Sequence, residues 1–155
     1  MGVALGVPYV TKRWLGGTIT NFNVLGERIT FLKKLEDGER TGEFEKYVKK
    51  ERTVMKIKLE KLKSMFEGLR NLKSLPDALL IVDPRHEKTA LAEAQKKNIP
   101  IIALMNLDSD PKNIDYPIPI NHNSQKAVTL VLEKLKNAYA IGKKEKASDT
   151  IQHEE

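Results

Sequence analysis

A chain of 155 residues is long enough for one domain, or for a small domain carrying a helical excursion. It holds no cysteine, which excludes a disulfide framework and a thiolate metal site and fits a reducing cytoplasm. The net charge of +6 is lopsided: residues 1–75 carry 16 Lys or Arg against 9 Asp or Glu, residues 76–141 carry 8 of each, and residues 142–155 carry 3 against 4. The basic half favours a polyanionic partner, although charge alone fits a solubilising surface equally well. Nucleic acid ranks before membrane, because no run of about 18 apolar residues is present to cross a bilayer. Residues 1–10 lack the basic start and cleavage pattern of a signal peptide, so a cytoplasmic location is expected.

Residues 8–11 form a short β-prone piece running into Lys12-Arg13-Trp14-Leu15-Gly16-Gly17, where paired glycines mark a sharp change of direction. Thr18 or Thr20 can cap the next helix, in which Phe22, Leu25, Ile29, Leu32 and Leu35 recur at spacings of three and four. Residues 37–42, with two glycines, read as a polar turn. A longer helix is predicted over about 43–72, with Val48, Met55, Leu59, Leu62, Phe66 and Leu69 in heptad-like register and Arg52 interrupting it. Two striped helices joined by a short turn predict an antiparallel, coiled-coil-like hairpin.

Beyond Leu75-Pro76 the periodicity changes. Ala78-Leu79-Leu80-Ile81-Val82 is an unbroken apolar run closed by Asp83-Pro84, as in a strand covered on both faces. A helix follows, with Ala90, Leu91 and Ala94 on its apolar side and a stop at Asn98. Residues 99–105 then read as a second buried strand, so the three pieces predict a βαβ unit and a parallel sheet. Residues 106–115 form a polar loop with Asp108, Asp110 and Asp115, and residues 116–120 a third strand whose Pro117 and Pro119 suit an edge. Asn123 or Ser124 caps a last helix with Val128, Val131, Leu132, Leu135 and Tyr139 facing the core, and Gly142 ends it. Residues 143–155 are charged and aperiodic, which predicts a disordered tail.

Two constellations could carry function. Asp83, Arg85, His86 and Glu87 lie just past a strand end, with Asp108 and Asp110 past the neighbouring one, where parallel sheets place their ligand sites. They could serve a Rossmann-like nucleotide- or metal-binding enzyme, yet Asp83 as N-cap, Pro84 early in the helix and Glu87 in its first turn are also what capping requires. The second constellation is Arg13 and Trp14 at the glycine corner, able to clamp phosphate and stack on a base, together with hairpin lysines including Lys33, Lys34, Lys56 and Lys58. A buried Trp14 and solvated lysines are the plainer alternative. His122 and His153 are isolated.

The run Lys12-Arg13-Trp14-Leu15-Gly16-Gly17-Thr18-Ile19-Thr20-Asn21-Phe22 resembles the bacterial ribosomal protein S two family, the second protein of the small subunit. A second signature matches at the right spacing: residues 76–87, then Glu93, Asn98-Ile99-Pro100, residues 106–110 and residues 117–121, so the resemblance covers nearly all of residues 8–141. It implies a flavodoxin-like α/β domain with an inserted helical hairpin, placed in the small subunit. It further implies contacts to small-subunit rRNA, with Lys12, Arg13, Trp14, Asn21, Lys33, Lys34, Lys56, Lys58 and Arg85 as the expected RNA-binding residues. Neighbouring ribosomal proteins, ribosomal protein S one among them, are the other expected partners; no catalysis, cofactor, metal, membrane or small-molecule substrate is expected. The family carries roughly a further half-domain before this point, so the sheet is expected to be incomplete. The expected organisation is residues 1–17 as the start of the α/β domain, 18–74 as the inserted hairpin, 75–142 as the rest of the α/β domain, and 143–155 as the tail.

Overall fold

In the computed structural model, which describes the backbone of residues 1–152 and the side chains of residues 1–145, the helices in chain order are α1 (Gly2–Leu5), α2 (Phe22–Arg40), α3 (Lys49–Phe66), α4 (Lys88–Lys96) and α5 (Gln125–Gln152). β1 (Leu79–Val82), α4 and β2 (Ile101–Met105) form the predicted βαβ unit, and β3 (Tyr116–Pro119) follows, giving the sheet order β1-β2-β3. Both pairings are parallel, with Leu79 opposite Ile101 and Val82 opposite Leu104 on one side of β2, and Ile102 opposite Tyr116 and Met105 opposite Pro119 on the other. β2 is central, pairing with β1 on one side and β3 on the other, and its Ile101, Ala103, Leu104 and Met105 are all buried. β3 takes an edge, where the missing N–H groups of Pro117 and Pro119 remove no ladder bond on the open side.

One face of the sheet is closed by α4. Ile81, Ile101 and Ala103 pack with Ala90 and Ala94, and with Ile19 from far upstream; Trp14, Leu79, Leu91 and Ile114 border them. The chain leaves α4 through Asn98, whose left-handed φ of 52° is the helix stop that asparagine tolerates. α4 itself starts at Lys88, later than its sequence suggests. Asp83-Pro84-Arg85-His86 forms a tight turn instead of the first helical turn, with the Asp83 carbonyl accepting from the His86 and Glu87 N–H groups. Asp83 is therefore not the N-cap, and it sits at φ 59°.

The helical half has its own core. Leu25, Ile29 and Leu32 of α2 are buried with Phe44 and with Leu59 and Phe66 of α3, and Leu69 closes the cluster. Several details differ from expectation. Asn21, not a threonine, precedes α2; Thr18 Oγ1 instead donates to Leu15 O and Thr20 Oγ1 to Glu93. α2 continues through Asp37-Gly38-Glu39-Arg40, where Gly38 lies against the Phe44 ring and a side chain would crowd it. The long second helix is broken: residues Glu43–Lys46 make a 3-10 turn, Tyr47 and Val48 are extended, α3 follows, and Glu67–Leu69 is again 3-10. Val48 is consequently exposed instead of joining the heptad.

Side chains that link the two helical stretches do not keep one register. Lys63 meets Glu39 at 3.4 Å and Arg70 meets Glu36 at 2.6 Å, so stepping back along α2 moves the partner forward, as antiparallel running requires. Phe31, further back along α2, nevertheless lies under Lys58 at 4.9 Å instead of under a residue beyond Arg70. The helices share a core, but these pairs do not fit a single heptad repeat.

Residues 8–11 are not a strand. Tyr9 donates its N–H to Gly68 O at 2.9 Å, and a Cβ on Gly68 would overlap the Tyr9 carbonyl oxygen and ring. Gly68→Ala is accordingly expected to destabilise the chain by about 1–3 kcal/mol through overpacking, read as a lowered thermal midpoint; an unchanged midpoint would show that the Tyr9 segment moves aside freely. Finally, α5 does not stop at Gly142. A single glycine costs a helix only about 1 kcal/mol against alanine, and Lys143, Lys144 and Glu145 are good helix formers. The backbone of α5 thus runs through residues 143–152, where a tail without periodicity was expected, while residues 153–155, His153 included, lie outside the described residues.

Candidate nucleic-acid interface

The glycine corner is built around a carboxylate. Glu93 is buried on the sheet side of α4, and its Oε1 accepts from Trp14 Nε1 at 3.2 Å and Gly17 N at 2.6 Å. Its Oε2 accepts from Ile19 N at 2.9 Å, Thr20 N at 3.0 Å and Thr20 Oγ1 at 3.2 Å. Gly17, at φ 91°, gives the chain the left-handed bend that turns these donors toward one point. Burial opposes ionisation of Glu93, but the N–H groups of Thr20, Ile19 and Gly17 and the Trp14 indole outweigh it and hold the carboxyl below the ordinary glutamate value.

This arrangement decides the roles of neighbouring residues. Trp14 is half-buried and tethered, so it fixes the corner, while Lys12, Arg13 and Asn21 around it are exposed. Val10 and Leu15 lie against the helical core, and Trp14 and Ile19 against the sheet core, so the corner joins the two clusters. Sequence reasoning assigned Glu93 no role. Its position one residue before Ala94, on the apolar side of α4, was the available signal for a buried acid.

The strand-end constellation of Asp83, Arg85, His86, Asp108 and Asp110 is engaged with itself. Asp83 Oδ1 accepts from Arg85 N at 3.1 Å, and Asp83 Oδ2 lies 3.1 Å from His122 Nε2 and 3.6 Å from His86 Nε2. Arg85 forms an ion pair with Asp108, and Asp110 accepts from Lys112 N at 2.9 Å. Arg85 therefore faces Asp108 across the strand ends instead of standing free. His122, isolated in sequence, is brought to Asp83 by the loop after β3, and its backbone N–H reaches Asn106 Oδ1 at 3.3 Å. Among the described residues no group of three or more His, Cys, Asp or Glu is arranged to hold a metal ion.

The lysines are exposed but not on one surface. At about 100° per residue, Lys56 and Lys58 project from opposite flanks of α3, and Lys34 lies on the outer side of α2 with Lys33 nearer its core edge. A single phosphate track can follow one flank of α3, not both.

These features describe an α/β protein whose strand-end carboxylates are occupied internally and whose exposed cations cluster on helices. The chain belongs to the ribosomal protein S2 family, whose description, "Ribosomal protein S2", matches residues 3–142. It is 44% identical over 146 residues to the small ribosomal subunit protein uS2 of Dictyoglomus thermophilum, an alignment covering 93% of this chain and 59% of that relative. The chain thus spans 59% of the length of this curated relative. The family is one of structural proteins, not enzymes.

Proposed function

We propose that the chain is a structural component of the small ribosomal subunit, in the cytoplasm, holding small-subunit rRNA and neighbouring ribosomal proteins, ribosomal protein S one among them. The observation that supports this most directly is the separation of charge: residues 1–75 carry the whole excess of cations, and they lie exposed around the glycine corner and on α2 and α3. The corner contributes Lys12, Arg13 and Asn21, with Trp14 holding them in place through Glu93. α2 and α3 contribute Lys33 and Lys34 with either Lys56 or Lys58. We further take residues 18–74 as a helical hairpin inserted in a flavodoxin-like domain made by residues 1–17 and 75–142.

The salt dependence of binding tests the lysines. Changing Lys33, Lys34, Lys56 and Lys58 to Gln should flatten the slope of log K against log salt by roughly 0.7–0.9 for each phosphate no longer neutralised, without changing which RNA is preferred. An unaltered slope would return these side chains to the role of solvated helix faces. A combined Asp83→Asn, His86→Gln, Asp108→Asn variant is expected to hold RNA within about threefold, roughly 0.6 kcal/mol. An activity abolished by those three changes would instead favour an enzyme site at the strand ends.

A further inference from the structure

The outer face of α3 carries aliphatic surface that the fold does not use. Val54 and Ile57 are 59% and 64% exposed, and they sit on the side of the helix opposite Leu59 and Phe66, which are buried against α2. β-branched residues are poor choices for the solvent side of a helix, where straight-chain polar residues give better propensity and no apolar exposure. Lys50 lies one turn before Val54 and Lys61 one turn after Ile57, on the same stripe. Both lysines are exposed, and among the described residues neither takes part in the ion pairs of this half, which use Lys63, Arg40 and Arg70. The stripe therefore reads cation, aliphatic, aliphatic, cation, with the two charges about 16 Å apart along the axis.

We propose that this stripe is a protein-docking surface, and that its occupant is an amphipathic helix of a neighbouring protein with an aliphatic centre and an acidic residue toward each end. This rests on the ribosomal role proposed for the chain. Charge complementarity selects the occupant. A second copy of the same face would set Lys50 and Lys61 against lysines, which like-charge repulsion disfavours. RNA would satisfy the lysines but gives Val54 and Ile57 nothing to bury against, because unpaired bases take aromatic rings and guanidinium planes and not branched aliphatic side chains. An acidic amphipathic helix satisfies both requirements at once, its aliphatic centre covering Val54 and Ile57.

The test uses small subunits reconstituted with the full chain, carrying a photoreactive benzophenone amino acid in place of Ile57. The expected product is a crosslink to a protein segment with aliphatic residues between two acidic ones, its yield falling at least tenfold in the Lys50→Glu, Lys61→Glu variant. That variant should be incorporated as well as the parent, since neither lysine supports the fold. Incorporation with a crosslink to RNA, to a segment without acidic residues, or to nothing would overturn the docking surface and leave the ribosomal role standing. A crosslink yield unaffected by the charge reversal would overturn it equally. A chain that never enters the subunit would overturn both.

Discussion

Glu93→Gln should lower the stability of the chain by about 2–4 kcal/mol, because the amide keeps one acceptor but turns two donors toward backbone N–H groups that need acceptors. The carboxylate serves Trp14, Gly17, Ile19 and Thr20 together, and its loss leaves the buried Ile19 N–H and the part-buried donors of the other three competing for a single amide oxygen. For a chain of this length a destabilisation of about 3 kcal/mol corresponds to a drop of roughly 6–12 °C in Tm. The chain has one tryptophan, so the same variant carries its own reporter: Trp14 emission should shift to the red as the indole loses Glu93 and gains water. A melt and an emission maximum both within error of the parent would show that the corner is held by something other than this carboxylate.

The pH dependence of that effect has a definite sign. The folded pKa of Glu93 lies below its unfolded value, so the stabilisation is present above the ordinary glutamate pKa of about 4.3 and is lost as pH falls through the depressed folded value. The parent should therefore melt at progressively lower temperature on acidification below that point, and Glu93→Gln should lack this component.

The second large effect is expected at β1. Among the described residues this strand pairs only with β2, so one row of its N–H and C=O groups is open, and Val82 is 38% exposed on the face away from α4. α5 does not compensate, since none of its described side chains belongs to either buried cluster. A bare, apolar strand edge recruits further strands. The isolated chain is expected to self-associate at micromolar concentration and to bind hydrophobic dye, whereas Val82→Lys should move the sedimentation profile toward monomer and reduce dye binding severalfold. Sedimentation of the parent as a single monomeric species without dye binding would count against the open edge.

The legible parts of this fold are those in which one local signal had no competitor. Leu79-Leu80-Ile81-Val82 and Ile101-Ile102-Ala103-Leu104-Met105 are continuous apolar runs and both are strands of the parallel sheet, but only β2 is covered on both faces as such a run suggests; β1 is an edge strand in which Ile81 alone is buried. Pro117 and Pro119 likewise placed β3 at an edge, and Asn98 stopped α4. The stripe of Leu25, Ile29 and Leu32 announced α2 for the same reason. Where the signal was a periodicity running past a local break, it misled. The heptad through Val48 could not register that Tyr47 and Val48 are extended, and the pattern said nothing about the angle at which α3 meets α2.

By itself, then, the sequence determined the parallel βαβ core, the edge strand, the uneven charge and the motifs shared with the ribosomal protein S2 family, all of them properties of contiguous residues. Tertiary structure alone decided what Trp14, Arg85 and His122 do. Trp14 and Glu93 are 79 positions apart, and Arg85 and Asp108 are 23 apart. A hydrogen bond or ion pair across such a gap depends on where two elements meet in space: the strand pattern brought Arg85 and Asp108 to neighbouring strand ends without fixing that they pair, and nothing near Trp14 pointed to Glu93. The place of Glu93 on the apolar side of α4 marked it as a buried acid, but only the folding of the glycine corner over it supplied the Trp14, Gly17, Ile19 and Thr20 donors that it serves.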